Sequence, residues 1–207
     1  MSSILIAAGW PIWPLFLVSI LGLAILLERF WFLRRPKISP SLHLDQALAF
    51  SKTLIMENEF IPSESLIELG NQSPMGKILV SALMSKTQGL NSDQALENMR
   101  DVAAPIFFSF ERYLGALATI ATLAPLMGLF GTVIGMIDIF GSQSGSVANP
   151  QQLAHGISIA LYNTAFGLLI AIPSLAGWRG LRAMADARQR ECNDASRALL
   201  KRLYPAV

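Results

Sequence analysis

The sequence predicts an all-α membrane protein with three transmembrane helices. Of the 207 residues, 53% are apolar and only 14% are charged, and the mean hydropathy is +0.48. This composition is far from that of an ordinary soluble domain. Three stretches, 4–27, 113–137 and 139–178, contain no Asp, Glu, Lys or Arg, and each exceeds the roughly 20 residues that cross hydrocarbon. We place the spans near 10–27, 114–140 and 153–177.

The distribution of positive charge predicts the orientation. Nine of the 16 Lys and Arg residues lie in 28–112 and the other seven lie in 179–207. Because cytoplasmic segments are enriched in Lys and Arg, the N-terminus is expected outside and the C-terminus in the cytoplasm. The chain then divides into an external stub with the first span (1–27), a cytoplasmic helical region (28–112), the second and third spans with a short external loop (113–178), and a cytoplasmic C-terminal helix (179–207).

The first apolar stretch is predicted to stay in the membrane as an anchor. It has no basic n-region, it is longer than the apolar part of a signal peptide, and it ends at the charged pair Glu28-Arg29 rather than at a small-residue cleavage site.

Short amphipathic helices are predicted after the first span. Pro36 and Pro40 interrupt the chain ahead of them. Ser followed by Pro favours a helix start and Gly favours a helix end. Helices are therefore expected near 42–58, from Pro62-Ser63 to Gly70-Asn71, and from Ser73-Pro74 to Gly89.

A much longer helix is predicted to begin at the cap Asn91-Ser92-Asp93, because no turn signal follows before about residue 140. Pro105 and Pro125 should kink it. About 50 residues at 1.5 Å each make roughly 75 Å, which is more than twice the hydrocarbon core, so this helix should extend well into the cytoplasm. The third span is likewise expected to continue as a helix to about Leu203.

The pattern of reactive residues does not predict an enzyme. There is no phosphate-binding loop and no paired set of carboxylates, and the two histidines, His43 and His155, are far apart. Cys192 is the only cysteine, so an intramolecular disulfide and a cysteine metal cluster are excluded and a free structural thiol is expected. We expect no cofactor, no metal and no nucleic-acid partner; the bilayer is the expected surrounding.

Small residues recur on one side of each of the last two spans. With Gly156 at zero and 100° per residue, the stripe in the third span contains Ala160, Asn163, Gly167, Ala171 and Ser174, with Thr164 at its edge. Bulky residues, Ile159 among them, are placed on the other side. In the second span the same geometry groups Gly128, Gly131, Thr132 and Gly135.

Two interpretations of these stripes remain open. Gly, Ala, Ser and Thr are enriched where membrane helices pack closely. Alternatively, the stripes line a water-bearing path or contact a partner helix, and Thr132, Asn163 and Thr164 supply hydrogen bonds that hydrocarbon cannot. Packing accounts for the glycines better than it accounts for Asn163.

Asp138 is the one acidic residue within or beside the last two spans, near the expected outer end of the second. It is interpreted either as a solvated helix-end carboxylate or as an entry site for a proton or cation at an external mouth. His155, at the start of the third span, allows the same two interpretations.

Two long motifs resemble the MotA/TolQ/ExbB proton-channel family, and within it most resemble ExbB. They are LAPLMGLFGTVIGMIDIF at 123–140 and GISIALYNTAFGLLIAIP at 156–173, in the order and spacing of that family. The resemblance covers roughly 111–178, with a looser match at the end of the first span.

The resemblance implies a homopentamer in the bacterial inner membrane whose second and third spans line a central lumen. It also implies a single-span ExbD/TolR-like partner with an intramembrane Asp that carries protons, and a TonB- or TolA-like protein that receives the mechanical work. The pore-facing threonines of the family fall on Thr132 and Thr164.

One position departs from the pattern of ExbB and TolQ proteins, which often carry a glutamate three residues after the glycine that matches Gly156. Here that residue is Ile159. Threonine does not titrate at ordinary pH, so the partner aspartate would carry the charge alone.

Three functional hypotheses follow. The first is the proton-channel subunit of an ExbB- or TolQ-type motor. The second is a non-conducting membrane scaffold of the same fold, which Ile159 favours. The third is a MotA-like ion-driven stator, against which three spans and 207 residues argue.

Overall fold

The computed structural model describes residues 10–34, 38, 41–57, 62–142 and 150–205, and within these residues it contains helices and no β-strand. A π-helical turn, Thr53–Glu57, follows the second helix. The helices in chain order are α1 Ile12–Phe32, α2 Ser41–Lys52, α3 Ser63–Gln72, α4 Pro74–Thr87, α5 Ser92–Glu111, α6 Leu114–Ser142 and α7 Pro150–Leu203.

Three helical segments are long and apolar enough to cross a membrane: Ile12–Phe32, Ser92–Gly141 and Leu153–Leu203. The prediction of three spans is therefore confirmed by length and composition. Pro36, Pro40 and most of the predicted external loop, 143–149, lie outside the described residues.

The chain forms two compact units. One consists of Met1–Arg29 and Tyr113–Gly180, and the other of Phe30–Arg112 and Leu181–Val207. The first unit therefore holds most of α1, all of α6 and the N-terminal part of α7. The second holds the short helices, α5 and the C-terminal part of α7.

The first unit is held together by a small apolar core to which all three of its helices contribute. Leu15, Ala124, Ile170 and Ala171 are buried there. Many large apolar side chains of the same helices point outward instead; Trp13 is 68% exposed and Ile172 is 67% exposed. Such an apolar outer surface suits hydrocarbon or a partner helix rather than water.

Local capping positions the helices of the second unit. The Ser73 hydroxyl accepts a hydrogen bond from the Gly76 amide at 3.0 Å, and Pro74 follows as the first residue of α4. Asn91 and Gln94 form a reciprocal capping box at the start of α5. Both predicted helix starts are thus confirmed, and Gly89, with φ of 72°, makes the left-handed turn between α4 and α5.

The C-terminal end of α7 is attached to this same turn. The Tyr204 hydroxyl donates a hydrogen bond to the Leu90 carbonyl at 2.9 Å, and the Lys86 ammonium lies 4.5 Å from the centre of the Tyr204 ring. These contacts fix the end of a 54-residue helix that would otherwise fray.

The prediction of a long helix from Asn91 to about residue 140 is confirmed in extent, as the segment Ser92–Gly141, but its continuity was predicted wrongly. The structure has two helices, α5 ending at Glu111 and α6 beginning at Leu114, with Tyr113 between them at φ of 64°. This left-handed conformation is unusual for a bulky residue. The Arg29 guanidinium carbon of α1 lies 5.4 Å from the centre of the Tyr113 ring, so a contact from α1 coincides with the break. The helices themselves continue through Pro105 and Pro125.

The helix expected near 42–58 also differs in detail. Its α-helical part ends at Lys52, and the chain continues as the π-helical turn to Glu57. Residue 58 lies outside the described part.

Candidate ion path

Glycines of α6 contact α7 along one seam. A Cβ on Gly128 would lie 2.6 Å from the Asn163 carbonyl oxygen, and one on Gly131 would lie 3.0 Å from the Asn163 Cβ. A Cβ on Gly135 would lie 3.2 Å from that of Ala160. The first of these distances is shorter than real Cβ contacts allow, so the two backbones approach closely only because α6 lacks side chains there.

Two glycines of α7 take part in similar close contacts with α6. A Cβ on Gly167 would lie 2.5 Å from the Ala124 carbonyl oxygen, and one on Gly156 would lie 2.7 Å from the Ile139 Cδ1. The five glycines singled out in the sequence therefore all lie where α6 and α7 meet.

Asn163 lies inside this seam. Its side chain is 1% exposed and faces Gly131. The structure thus places the amide between two helices of the same chain, and its contribution to an ion path through an assembly stays a prediction.

Thr132 lies at a groove on α6 rather than in the seam. Its hydroxyl donates a hydrogen bond to the Leu129 carbonyl at 2.6 Å, which satisfies the donor within the helix. The open groove, about 540 Å³ in volume, is otherwise apolar and is lined by Thr132, Val133, Met136, Ile137, Phe140 and Gly141. Thr164 is half-buried at the edge of the seam, and its Cα would lie 3.0 Å from a Cβ on Gly128.

A separate cavity of about 210 Å³ brings Asp138 together with Asn163. It lies within the first unit and is lined by Trp10, Pro11, Gly131, Ile134, Gly135, Asp138, Ile139, Gly156, Ile159, Ala160 and Asn163. Asp138 is exposed, whereas Asn163 is buried. His155 is exposed and is not among the lining residues.

Two lining residues of this cavity were not expected from the sequence. Ile159 was placed with the bulky side of the third span, yet it lines the same cavity as Asn163, which is one helical turn away. On the helical projection Ile159 lies at −60° from Gly156, as far from it as Ala171 on the other flank, so the projection itself already put Ile159 at the edge of the stripe. Trp10 comes from the segment just before α1, and no sequence pattern relates it to the other two spans.

The described residues contain no group of three or more His, Cys, Asp and Glu side chains that could hold a metal ion. In the described part of α6 and of α7 up to Gly180, Asp138 is the one acidic side chain.

Comparison with known proteins identifies the family of this chain. The model of the MotA/TolQ/ExbB proton channel family matches residues 70–193. The chain is 32% identical over 203 residues to the putative biopolymer transport protein ExbB-like 1 of Synechocystis sp. This alignment covers 96% of this chain and 77% of that protein.

Two other relatives match over shorter stretches. Biopolymer transport protein exbB1 of Vibrio cholerae serotype O1 is 40% identical over 98 residues, 44% of this chain and 42% of that protein. The Tol-Pal system protein TolQ of Haemophilus influenzae is 39% identical over 84 residues, 40% of this chain and 37% of that protein. This chain therefore spans less than half the length of these two relatives.

The family match covers more than half of the chain and falls on the seam, the groove and the cavity described above. The chain is a multi-pass membrane protein that belongs to the MotA/TolQ/ExbB proton channel family.

Proposed function

We propose that this chain is the channel subunit of an ExbB- or TolQ-type motor in the bacterial inner membrane, which couples the proton-motive force to energy-dependent transport or envelope work. The N-terminus is periplasmic and the C-terminus cytoplasmic in this proposal. The family membership, the three spans and the confinement of Lys and Arg to 28–112 and 179–207 support it.

In the proposed assembly, five copies place α6 and α7 around a lumen that holds the helix of an ExbD/TolR-like partner. The groove on α6 is the observation that carries this proposal. Its apolar side chains are left uncovered by the chain itself; Ile137 is 64% exposed and Phe140 is 57% exposed. A helix from a single-span partner would cover them, as membrane helices cover one another.

Thr132 gives the groove one polar feature that a partner carboxyl can use. A hydroxyl provides one donor and two acceptor lone pairs, so Thr132 can accept a hydrogen bond while it donates to Leu129. A protonated Asp on the partner helix would thereby find an acceptor inside the membrane. Thr164, at the edge of the α6–α7 seam, is proposed to play the same part on the third span.

The threonines do not titrate, so the partner's Asp is proposed to carry the proton through the lumen, and movement of its helix to act on a TonB- or TolA-like protein. The driving force is adequate, because one elementary charge moving across 100 mV releases about 2.3 kcal/mol. A few protons per step can therefore move a helix.

A non-conducting scaffold is the second candidate function, and Ile159 favours it. The side chain at this position lines the cavity near Asp138 and is apolar, so the third span itself supplies no carboxylate there. Conduction by the complex with its partner distinguishes the two functions.

A disulfide cross-link tests the proposed position of the partner. Thr132→Cys in a Cys192→Ala background is expected to cross-link to a cysteine placed one turn from the membrane Asp of the partner. Thr119→Cys is the matched control, because Thr119 lies on another face of α6 and its hydroxyl also bonds within the helix. Cross-linking at both positions, or at neither in an assembled complex, would remove the groove from the partner interface.

A further inference from the structure

The cavity that contains Asp138 and Asn163 has one acidic and one amide side chain in a largely apolar lining. Asp138 provides an exposed carboxylate to this cavity. Asn163 provides an amide that is buried, with 1% of the residue exposed. Ile134, Ile139 and Ile159 contribute apolar side chains to the same lining. The same cavity therefore borders an exposed carboxylate and a buried amide.

The cavity is large enough for several water molecules. Its volume is about 210 Å³, and one water occupies about 30 Å³ in the liquid. Its size also depends on small residues, because a side chain at Gly135 would meet Ala160 at 3.2 Å and one at Gly156 would meet Ile139. Water can bind where two polar groups offer hydrogen bonds, and here the carboxylate and the amide do so.

We propose that this cavity is a cation-loading site within a single chain, in which Asp138 attracts a proton or another monovalent cation and hydrated space leads it to Asn163. Asp138 supplies the negative charge, and the Asn163 amide, which can both donate and accept hydrogen bonds, is the inner polar group. The chain thus provides its own carboxylate on α6, although position 159 on α7 is apolar.

The charges near Asp138 favour a cation over an anion. Among the cavity-lining residues Asp138 is the one titratable group, and α1 contributes Trp10 and Pro11 from the segment before it. On α7 two titratable residues lie near the cavity in sequence, His155 and Tyr162; both are exposed and neither lines the cavity. In the described residues of α7 the first Arg is Arg179, 16 residues beyond Asn163. The negative charge of Asp138 at the exposed side of the cavity therefore attracts cations and repels anions.

The proposal deepens the proposed function, on which it rests for the use of the ion. The site itself can be tested without transport. A thiol is introduced with Ile159→Cys in the Cys192→Ala background, and the full chain is placed in proteoliposomes. Labelling rates are then measured with a cationic and an anionic methanethiosulfonate reagent of similar size, present on both faces of the bilayer.

At position 159 the labelling rate of the cationic reagent is divided by that of the anionic reagent. This ratio is expected to be about tenfold larger with Asp138 present than in the Asp138→Asn variant, because the carboxylate attracts the cationic reagent and repels the anionic one. Leu161→Cys is the matched control. Leu161 is exposed on the apolar outer surface of α7, on another side from Ile159, so charged reagents should label it far more slowly than position 159 and at a rate that does not depend on Asp138. No labelling at position 159, or a ratio unaffected by Asp138→Asn, would overturn the proposal.

Transport distinguishes failure of this site from failure of the proposed function. With the partner present, Asp138→Asn should lose flux and Asp138→Glu should retain it, and sodium-free buffer identifies protons as the ion. If the wild-type complex conducts and Asp138→Asn conducts equally, the loading site is refuted and the channel remains. If the wild-type complex does not conduct, the proposed function fails, and the labelling ratio still decides whether the cation site exists.

Discussion

Gly131 of α6 lies directly against Asn163 of α7: a Cβ on Gly131 would be 3.0 Å from the Asn163 Cβ, Cγ and Nδ2 atoms. The Asn163 side chain is 1% exposed, so the amide occupies space that the missing side chain leaves free. An amide in a membrane span must be accommodated by protein rather than by hydrocarbon. This pair therefore sets the approach of the two helices and also fixes the inner end of the cavity that Asp138 opens.

Adding one methyl group at Gly128 should weaken the chain. In Gly128→Ala the new Cβ meets a backbone oxygen at 2.6 Å, which requires the helices to move apart, and overpacking of this kind costs about 1–3 kcal/mol. Gly115→Ala is the control, because nothing lies within 4 Å of a Cβ there and Ala favours the helix by about 0.5–1 kcal/mol. Thermal unfolding in detergent should show a lower midpoint for the first variant only.

A charged side chain at Gly131 should have a larger effect. Gly131→Glu would put a carboxylate against the buried Asn163 and displace α7, with a cost of several kcal/mol for the desolvated charge. Loss of the oligomer on a native gel is the expected sign. If the variant kept a wild-type oligomer, the contact between α6 and α7 would tolerate a displacement of α7, contrary to this prediction.

Removal of the proposed lumen hydroxyls should reduce conduction without unfolding the chain. Thr132→Val and Thr164→Val replace a hydroxyl by a methyl group of similar size. Thr119→Val is the matched control on α6, since the Thr119 hydroxyl also bonds a backbone carbonyl, that of Gly115 at 3.0 Å. Proton flux into proteoliposomes with the partner should fall for the first two variants alone; wild-type flux in both would exclude these hydroxyls from the mechanism.

Cys192 should be unreactive in the folded protein. Its side chain is fully buried, and this burial, with a smaller contribution from Glu191, raises the pKa of the thiol from 9.0 to about 12, while Arg188 acts in the opposite direction. Maleimide labelling at pH 8 is expected only after denaturation. Rapid labelling of the native chain would contradict the buried position.

The same thiol gives a defined pH dependence of stability. Between pH 9 and about 12 the folded state keeps a proton that the unfolded state releases. The contribution of the thiol to stability is therefore constant below pH 9 and is lost as pH rises above it. Chemical denaturation of wild type and Cys192→Ala between pH 8 and 11 should show a larger loss of stability in the wild type, because Tyr204, whose pKa is also raised by burial, contributes equally to both.

Tyr113 should tolerate Gly better than a β-branched residue. Its φ of 64° costs an ordinary side chain roughly 1–2 kcal/mol, which Gly avoids. Tyr113→Gly loses the contact with Arg29 but gains this relief, so its unfolding midpoint should stay near that of wild type. Tyr113→Val loses the contact and keeps the strain, and its midpoint should fall; equal midpoints would show that the break does not need a left-handed residue.

The sequence was sufficient to predict the elements that depend on local chemistry. The three spans follow from charge-free length, and the starts of α4 and α5 follow from the capping residues Ser73 and Asn91. The break at Tyr113 could not be predicted in this way, because Arg112 and Tyr113 carry no turn signal. The contact that accompanies the break comes from Arg29, more than 80 residues earlier.

The candidate site was predicted less completely. Helical periodicity grouped Gly128, Gly131 and Gly135, and the structure places them together at α7. Periodicity also grouped Thr132 with them, whereas its side chain lines another groove. Predicting the cavity near Asp138 requires the relative rotation of α6 and α7 and the position of Trp10. Neither follows from the pattern of a single helix.

Proton flux tests the central claim most directly. The chain is reconstituted into liposomes with its candidate single-span partner, either wild type or with the membrane Asp changed to Asn, and proton uptake is followed under an applied potential. The proposed motor subunit predicts flux that requires both chains and that carboxylate. No flux from a correctly assembled wild-type complex, or equal flux with the Asn partner, would contradict it.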